Sequence, residues 1–232
     1  MAAEYLKCSE YLSVEEVTDR RSMLETVERI AAKHFEGARG SHDWDHTLRV
    51  SRLCRRIGTA EGADMDVVMV AALLHDIGRC HQDATNGQVC HAEKGAQLAG
   101  PVVEALPLTP GQKENILHCI RTHRFRGNRP PRTPEARVLF DADKLDAIGA
   151  VGVARAYLFA GELGARLHNP DLKVEEAQPY SQDDTGYREF QVKLCKIKDR
   201  MLTGEGHRLA VERHDFMETF FKRFLDEFEG ER

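Results

Sequence analysis

Four side chains in this sequence have the types and positions to hold a metal ion. His75 and Asp76 directly follow the apolar run VVMVAALL, at the tail of a helix that should be buried. A carboxylate there lies on the wrong side of the helix dipole and is costly to bury without a positive partner. Either a metal ion or an arginine such as Arg79 or Arg49 must sit against Asp76. His46 shares a helical stripe with Val50, Leu53, Cys54 and Ile57, so its ring points inward, as a core histidine or as a ligand. Asp143 lies one turn beyond Leu139 and Phe140 and one turn before Asp146, in VLFDADKLDAIGAVG. Its acids, set among Leu, Phe, Ile and Ala, read as a buried acidic site, which a structural ion pair would also satisfy.

Two imidazoles and two carboxylates from three helices give a mixed nitrogen and oxygen ligand set with room for water. Such a set suits Mn²⁺, with Co²⁺, Fe²⁺ or Mg²⁺ as alternatives, rather than a closed structural zinc site built on thiolates. Cys80-His81 and Cys90-His91 match no standard zinc spacing. If the ion serves phosphoryl chemistry, basic groups should ring it. Arg121, Arg124, Arg126, Arg129 and Arg132 crowd a helix end and a proline loop, with His123 and Phe125 interleaved. Lys144 follows Asp143, and Lys94 follows His91 by one helical turn. A solvated surface or a nucleic-acid patch accounts for the arginines equally well, and only one or two need reach a phosphate. Asp146 is placed to orient a water, to act as a general base, or to accept a hydrogen bond from a ligating histidine. His118 is rotated off the face of His123 and reads as structural.

The elements that must position these residues are helices. Apolar residues repeat at helical spacing over 23–35, 43–58, 64–77, 91–104, 110–124, 135–148, 150–165, 187–202 and 206–229. Ser41 and Asp43 are candidate caps for the second segment; Asp64 or Asp66 opens the third, and Gly78 stops it. Strict alternation never runs beyond a few residues, so the expected class is all-α. Residues 1–20 read as a polar arm, 21–165 as the helical core and 187–232 as C-terminal helices packing on that core. Residues 166–186 form a polar loop, either a lid or a plain connection. The stretch 125–134 cannot stay helical through Pro130, Pro131 and Pro134.

At 232 residues and 41% hydrophobic, the chain suits one domain with a sizeable core. A net charge of -5 gives no global attraction to nucleic acid or anionic lipid, so any anion affinity is local. The start resembles no signal peptide, and the longest apolar run, Val67 to Leu74, is far short of the roughly 20 residues that span a bilayer. The six cysteines read as free thiols of a reducing compartment, which makes the cytoplasm the expected location. Neither membrane nor nucleic acid is an expected partner; a homodimer is left open.

SHDWDHTLRV, LLHDIGR and DADKLDAIGAVGVAR, in that order, resemble the HD superfamily of metal-dependent phosphohydrolases. That family's pattern of a helical His, a His-Asp pair and a distant Asp falls on His46, His75-Asp76 and Asp143. KLCKIKDRMLTGEGHRLAVER is similar to the C-terminal helices of its bacterial-type subgroup, which includes nucleotide pyrophosphohydrolases, so the likeness runs over residues 22–225. It implies a single HD-domain helical bundle with extra C-terminal helices, and a metal-bound water or hydroxide attacking phosphorus. Asp76, Asp146 and His91 then become candidate catalytic residues, and Lys144, His91, His123, Arg124, Arg126 and Lys94 candidate substrate contacts. His91 and His123 sit where two-metal members carry extra histidines; here they are assigned to phosphate binding or proton transfer beside one metal. The sharpest expectation is a nucleoside (or deoxynucleoside) triphosphate pyrophosphohydrolase. Alternatives within the family are a nucleoside monophosphatase, a phosphodiesterase or a guanosine polyphosphate hydrolase. Outside catalysis stand a ligand sensor, against which the intact ligand positions count, and an RNA-binding module, against which the global acidity counts.

Overall fold

A computed structural model of the chain describes residues 19–37, 43–85, 87–124 and 129–232. Ser41, Arg126 and the arm up to residue 18 lie outside these residues. Among the described residues every regular element is helical. They are α1 (Arg20–Lys33), α2 (Trp44–Ala60), α3 (Met65–Leu74), α4 (Arg79–Ala84), α5 (His91–Glu104), α6 (Pro110–Thr122), α7 (Pro134–Leu145), α8 (Gly149–Glu162), α9 (Gly186–Val192) and α10 (Gly204–Phe228), with 3₁₀ turns at Leu194–Lys196 and Lys198–Arg200. The described residues divide into two compact units, one of residues 19–37 and 54–140 and the other of 43–53 and 141–232, with one boundary inside α2 and another inside α7.

In the first unit α3 is the central helix, because it is apolar on every side and buried from Val67 to Leu74. α1 and α6 pack against it, and α5 packs against α6 and α4. Asp64 caps α3 by accepting the N–H groups of Asp66 and Val67, at 3.0 and 3.3 Å. The helix stops at Leu74 rather than running to residue 77, so His75 and Asp76 lie in the turn before α4. α4 has no apolar stripe to betray it: its sequence is RCHQDA. Gly78 is not the left-handed cap that the sequence suggests, since its φ is -87°. It is a crossing point instead. A Cβ there would strike the carbonyl oxygen of His91 and lie 2.5 Å from the nitrogen of Gly95, so its absence lets α5 lie against the turn that carries Asp76.

In the second unit α8 packs on α10 and α9 on α8. Gly149 opens α8 at φ +78°, where an added Cβ would lie 2.9 Å from Arg213 Cγ of α10. The helix expected over 187–202 ends at Val192. Lys193 leaves the helical region (φ -136°, ψ -55°), and the two 3₁₀ turns bury Leu194 and Ile197, three residues apart as that geometry requires. The buried carboxylate of Asp141 sets where α10 begins. It accepts the N–H groups of Leu202 (2.9 Å) and Thr203 (2.8 Å) and the Thr203 hydroxyl (2.6 Å), while Thr203 Oγ1 accepts the Gly206 N–H at 3.1 Å. The long 166–185 connection is tied by Asp184, which accepts the Tyr180 N–H and the Arg188 guanidinium, both at 2.7 Å.

Cys54, Cys80, Cys90, Cys119 and Cys195 are thiols not joined in disulfides, and Cys8 lies outside the described residues. Among the described residues no helix is long and apolar enough to cross a membrane.

Asp141 serves the backbone at the start of α10, so Asp141→Ala should leave buried N–H groups without an acceptor. The expected loss is about 2–4 kcal/mol of unfolding free energy, a fall in Tm of about 5–10 °C by calorimetry. A loss below about 0.5 kcal/mol, ordinary for a surface change, would contradict this role.

Candidate metal centre

In the second unit the site begins at the first turn of α2, where Asp43 Oδ1 accepts the His46 N–H at 3.0 Å and holds His46 at the helix start. The His46 ring is fully buried. Its Nδ1 donates to Asp146 Oδ2 at 2.7 Å, which in the neutral ring leaves the lone pair on Nε2, and Nε2 lies 3.4 Å from Asp143 Oδ1. Asp143 Oδ2 accepts Lys144 Nζ at 2.6 Å. Asp146 is held on three sides: Arg49 Nε donates to Oδ1 at 2.7 Å, and Arg155 Nη1 and His46 Nδ1 each donate to Oδ2 at 2.7 Å. Burial alone would push the Asp146 carboxyl up, but the hydrogen bonds from His46 and Arg49 and the charge of Arg155 hold it far below the usual carboxylate range. Burial works against an imidazolium at His46, yet the bonds to Asp143 and Asp146 raise its pKa above the ordinary value.

In the first unit Asp76 is 2% exposed and surrounded by imidazoles. Its Oδ1 lies 3.4 Å from His91 Nε2 and 3.5 Å from His123 Nε2, and its Oδ2 lies 3.9 Å from His75 Nε2 and 3.5 Å from Arg79 Nε. Each ring is oriented from behind. His75 Nδ1 donates to the Ala72 carbonyl at 2.8 Å, His123 Nδ1 to the Ile120 carbonyl at 2.7 Å, and His91 Nδ1 to Gln82 Oε1 at 2.8 Å. Gln82 Oε1 also accepts the His91 backbone N–H at 3.4 Å, which identifies it as the oxygen. All three Nε2 atoms therefore carry lone pairs, and those of His91 and His123 stand 3.1 Å apart. Acceptors facing one another at such distances require a proton or a metal ion between them.

The donor sets fit a divalent cation on that ground. Histidines whose far nitrogen is anchored on a carbonyl or carboxylate are the form that binds metal. Asp76, His91 and His123 offer ligand atoms within 4.8 Å of one another.

The structure thus groups His91 and His123 with His75 and Asp76, and Lys144 and Asp146 with His46 and Asp143. Lys94 stands one turn along α5 from His91. The arginine cluster does not converge. Arg124 Nη1 donates to Cys90 Sγ at 3.2 Å, next to His91, whereas Arg129 pairs with Glu93 at 2.6 Å on the surface. His118 Nε2 accepts the Arg132 N–H at 3.1 Å, and Arg126 lies outside the described residues. Arg49, one of two arginines the sequence offers to Asp76, is bound to Asp146. Arg155 and Gln82 carry no mark in the sequence, because their roles follow from which carboxylate or ring they meet in space.

The HD domain profile matches residues 43–148. The Bacillus subtilis (strain 168) protein YpgQ is 34% identical over 196 residues, 82% of this chain and 85% of that protein. A crystal structure of Bacillus subtilis YpgQ in complex with ADP aligns with a TM-score of 0.71 and 28% identity over 91% of this chain and 97% of that one. An HD-superfamily hydrolase from Bacillus thuringiensis aligns with a TM-score of 0.72 and 27% identity, over 91% of this chain and 100% of that one.

Asp146 has a lowered folded-state pKa against an unfolded value of about 3.9, so its contribution is present above about pH 4 and lost as pH falls through the folded value. Metal-free protein should lose stability in urea titrations between about pH 5 and pH 2. Asp146→Asn should flatten that slope and cost about 2–4 kcal/mol at pH 7, since it leaves two arginines facing an amide. An unchanged slope in the variant would overturn the assignment.

Proposed function

The chain belongs to the HD superfamily of metal-dependent phosphohydrolases, and on that premise we propose that it hydrolyses nucleoside or deoxynucleoside triphosphates to the monophosphate and pyrophosphate, with Mn²⁺ as its metal. The observation that carries the metal half of this reading is the facing of lone-pair Nε2 atoms and carboxylate oxygens around Asp76 and around Asp143. Support for a nucleotide comes from the ADP held by YpgQ, to which this chain is similar over nearly its whole length. The work of such an enzyme belongs in the cytoplasm, where its substrates are.

The family pattern assigns His46, His75, Asp76 and Asp143 as ligands, and imidazole with carboxylate suits Mn²⁺ or Co²⁺. When bound, the ion polarises a phosphoryl oxygen and lowers the pKa of a water. The chain's own residues do the rest. Asp146 fixes the His46 tautomer, and Lys144 sets a cation beside Asp143. His91 and His123, each locked through Nδ1, present Nε2 to a phosphate oxygen or a proton in transfer. Arg124 and Lys94 add positive charge near His91 for the non-bridging oxygens.

A second reading rests on the Asp76, His91 and His123 grouping, which can hold a second ion. That arrangement would favour phosphodiesterase or monophosphatase chemistry.

The test is a panel of nucleoside tri-, di- and monophosphates with chelator-stripped protein and added Mn²⁺, Co²⁺ or Mg²⁺, with every product identified. Pyrophosphate plus a monophosphate is the expected outcome. His75→Ala and Asp143→Ala should each lower kcat/KM by about 10³-fold, the several kcal/mol that a catalytic metal contributes. Orthophosphate released from monophosphates would transfer the protein to the second reading. Absence of nucleotide turnover with every metal would end the first.

A further inference from the structure

The long connection between α8 and α9 folds around a cavity. Its two ends are joined where the Arg166 N–H donates to the Gln182 carbonyl at 3.3 Å. The cavity has a volume of about 270 Å³, just below the span of about 300–1,000 Å³ usual for drug-sized ligands, so it suits a small molecule. Its lining lies wholly within the second unit and includes no residue of the metal centre. Leu172 and Val174 give it an apolar wall, and Lys173, Asp183 and Arg188 give it charge. Both cations already have counter-ions. Lys173 Nζ lies 3.8 Å from Glu176 Oε1, and Arg188 Nη1 lies 2.7 Å from Asp184 Oδ1. Asp183 differs: its Oδ1 accepts the Asn169 amide at 3.5 Å, and among the described residues no cation pairs with it. The wall also holds unused hydrogen-bonding capacity, because the buried Arg188 Nε and His168 Nδ1 meet no partner among the described residues.

These groups select the chemistry of an occupant. A phosphate would meet the Asp183 carboxylate, and the two cations that could answer it are already paired, so a polyanion gains little. Asp183 calls for a cation and the Arg188 guanidinium for an acceptor, beside a wall that favours an aliphatic group. We propose that the cavity binds a small zwitterionic α-amino acid with an aliphatic side chain, of the size of valine or leucine. The ammonium pairs with Asp183, the carboxylate with Arg188, and the side chain lies on Leu172 and Val174. Both charges arrive on one molecule, so neither is brought out of water without a partner. The ligand differs in class from the nucleotide of the metal centre, and the proposal stands apart from that activity.

Isothermal titration calorimetry of the full chain with L-leucine and L-valine tests this. At least one should bind with a Kd of about 10 µM to 1 mM, the range open to so small a ligand. N-acetyl-L-leucine lacks the ammonium and L-leucinamide lacks the carboxylate, and each should bind at least about tenfold more weakly than leucine. Inorganic phosphate should not compete. Asp183→Asn, its fold checked by thermal melting, should bind leucine no better than N-acetyl-L-leucine. Val174→Trp fills the cavity and should abolish binding in a protein that still melts cooperatively. Absence of binding by both amino acids up to about 10 mM overturns the proposal. So does either analogue binding as tightly as leucine, displacement of leucine by phosphate, or full affinity in a folded Asp183→Asn protein.

Discussion

Removing a carboxylate from water costs several kcal/mol unless donors or cations meet it, and this chain buries several in or near its functional residues. Each is met differently. Asp141 is surrounded by backbone N–H groups and a hydroxyl, so it has become part of the frame of α10. Asp146 lies between two guanidinium groups and an imidazole N–H, which fixes it as an anion. Asp76 and Asp143 face imidazole nitrogens whose other ring nitrogen already donates elsewhere. For those two, the surroundings supply lone pairs where a positive charge is required. Arg79 and Lys144 answer part of the demand, each from one side.

That demand explains details of the fold that packing alone does not. The backbone makes a tight crossing at Gly78, where a side chain would strike α5, and the crossing brings His91 to Asp76. α3 gives up its last turn so that His75 and Asp76 can leave the helix axis, and the Ala72 carbonyl freed by that ending orients the His75 ring. Glutamine, carbonyl and carboxylate acceptors stand behind the histidines, which is the support that metal ligands need in order to keep one tautomer and one orientation. Membership of the HD superfamily and this preorganisation describe the same chemistry at two levels, one in family pattern and one in hydrogen bonds.

Much of this was legible in the sequence, for reasons that can be traced to individual residues. His46 on an apolar stripe, His75-Asp76 after a buried run and Asp143 in an apolar helix are all local anomalies, visible within one or two turns. The all-helical class followed from periodicity. What escaped was long-range or patternless. Arg49 reads as a partner for Asp76, yet it reaches Asp146 across 97 residues of chain. Arg155 clamps the same carboxylate from α8. α4 has no apolar face, and the break after Val192 depends on the turns that bury Leu194 and Ile197. Three acids in DADKLD looked alike, and only hydrogen bonding separated the structural Asp141 from Asp143 and Asp146.

The central claim is that lone-pair imidazole nitrogens and carboxylates of this chain bind a divalent ion directly. The most direct test is pulsed electron paramagnetic resonance on Mn²⁺-loaded protein carrying ¹⁵N-labelled histidine. The account predicts nuclear modulation from directly bound imidazole nitrogen, shifted to the ¹⁵N frequency by the label and reduced in His46→Ala and His75→Ala. A Mn²⁺ signal with water and carboxylate couplings alone, unchanged by the label or by either substitution, would contradict it.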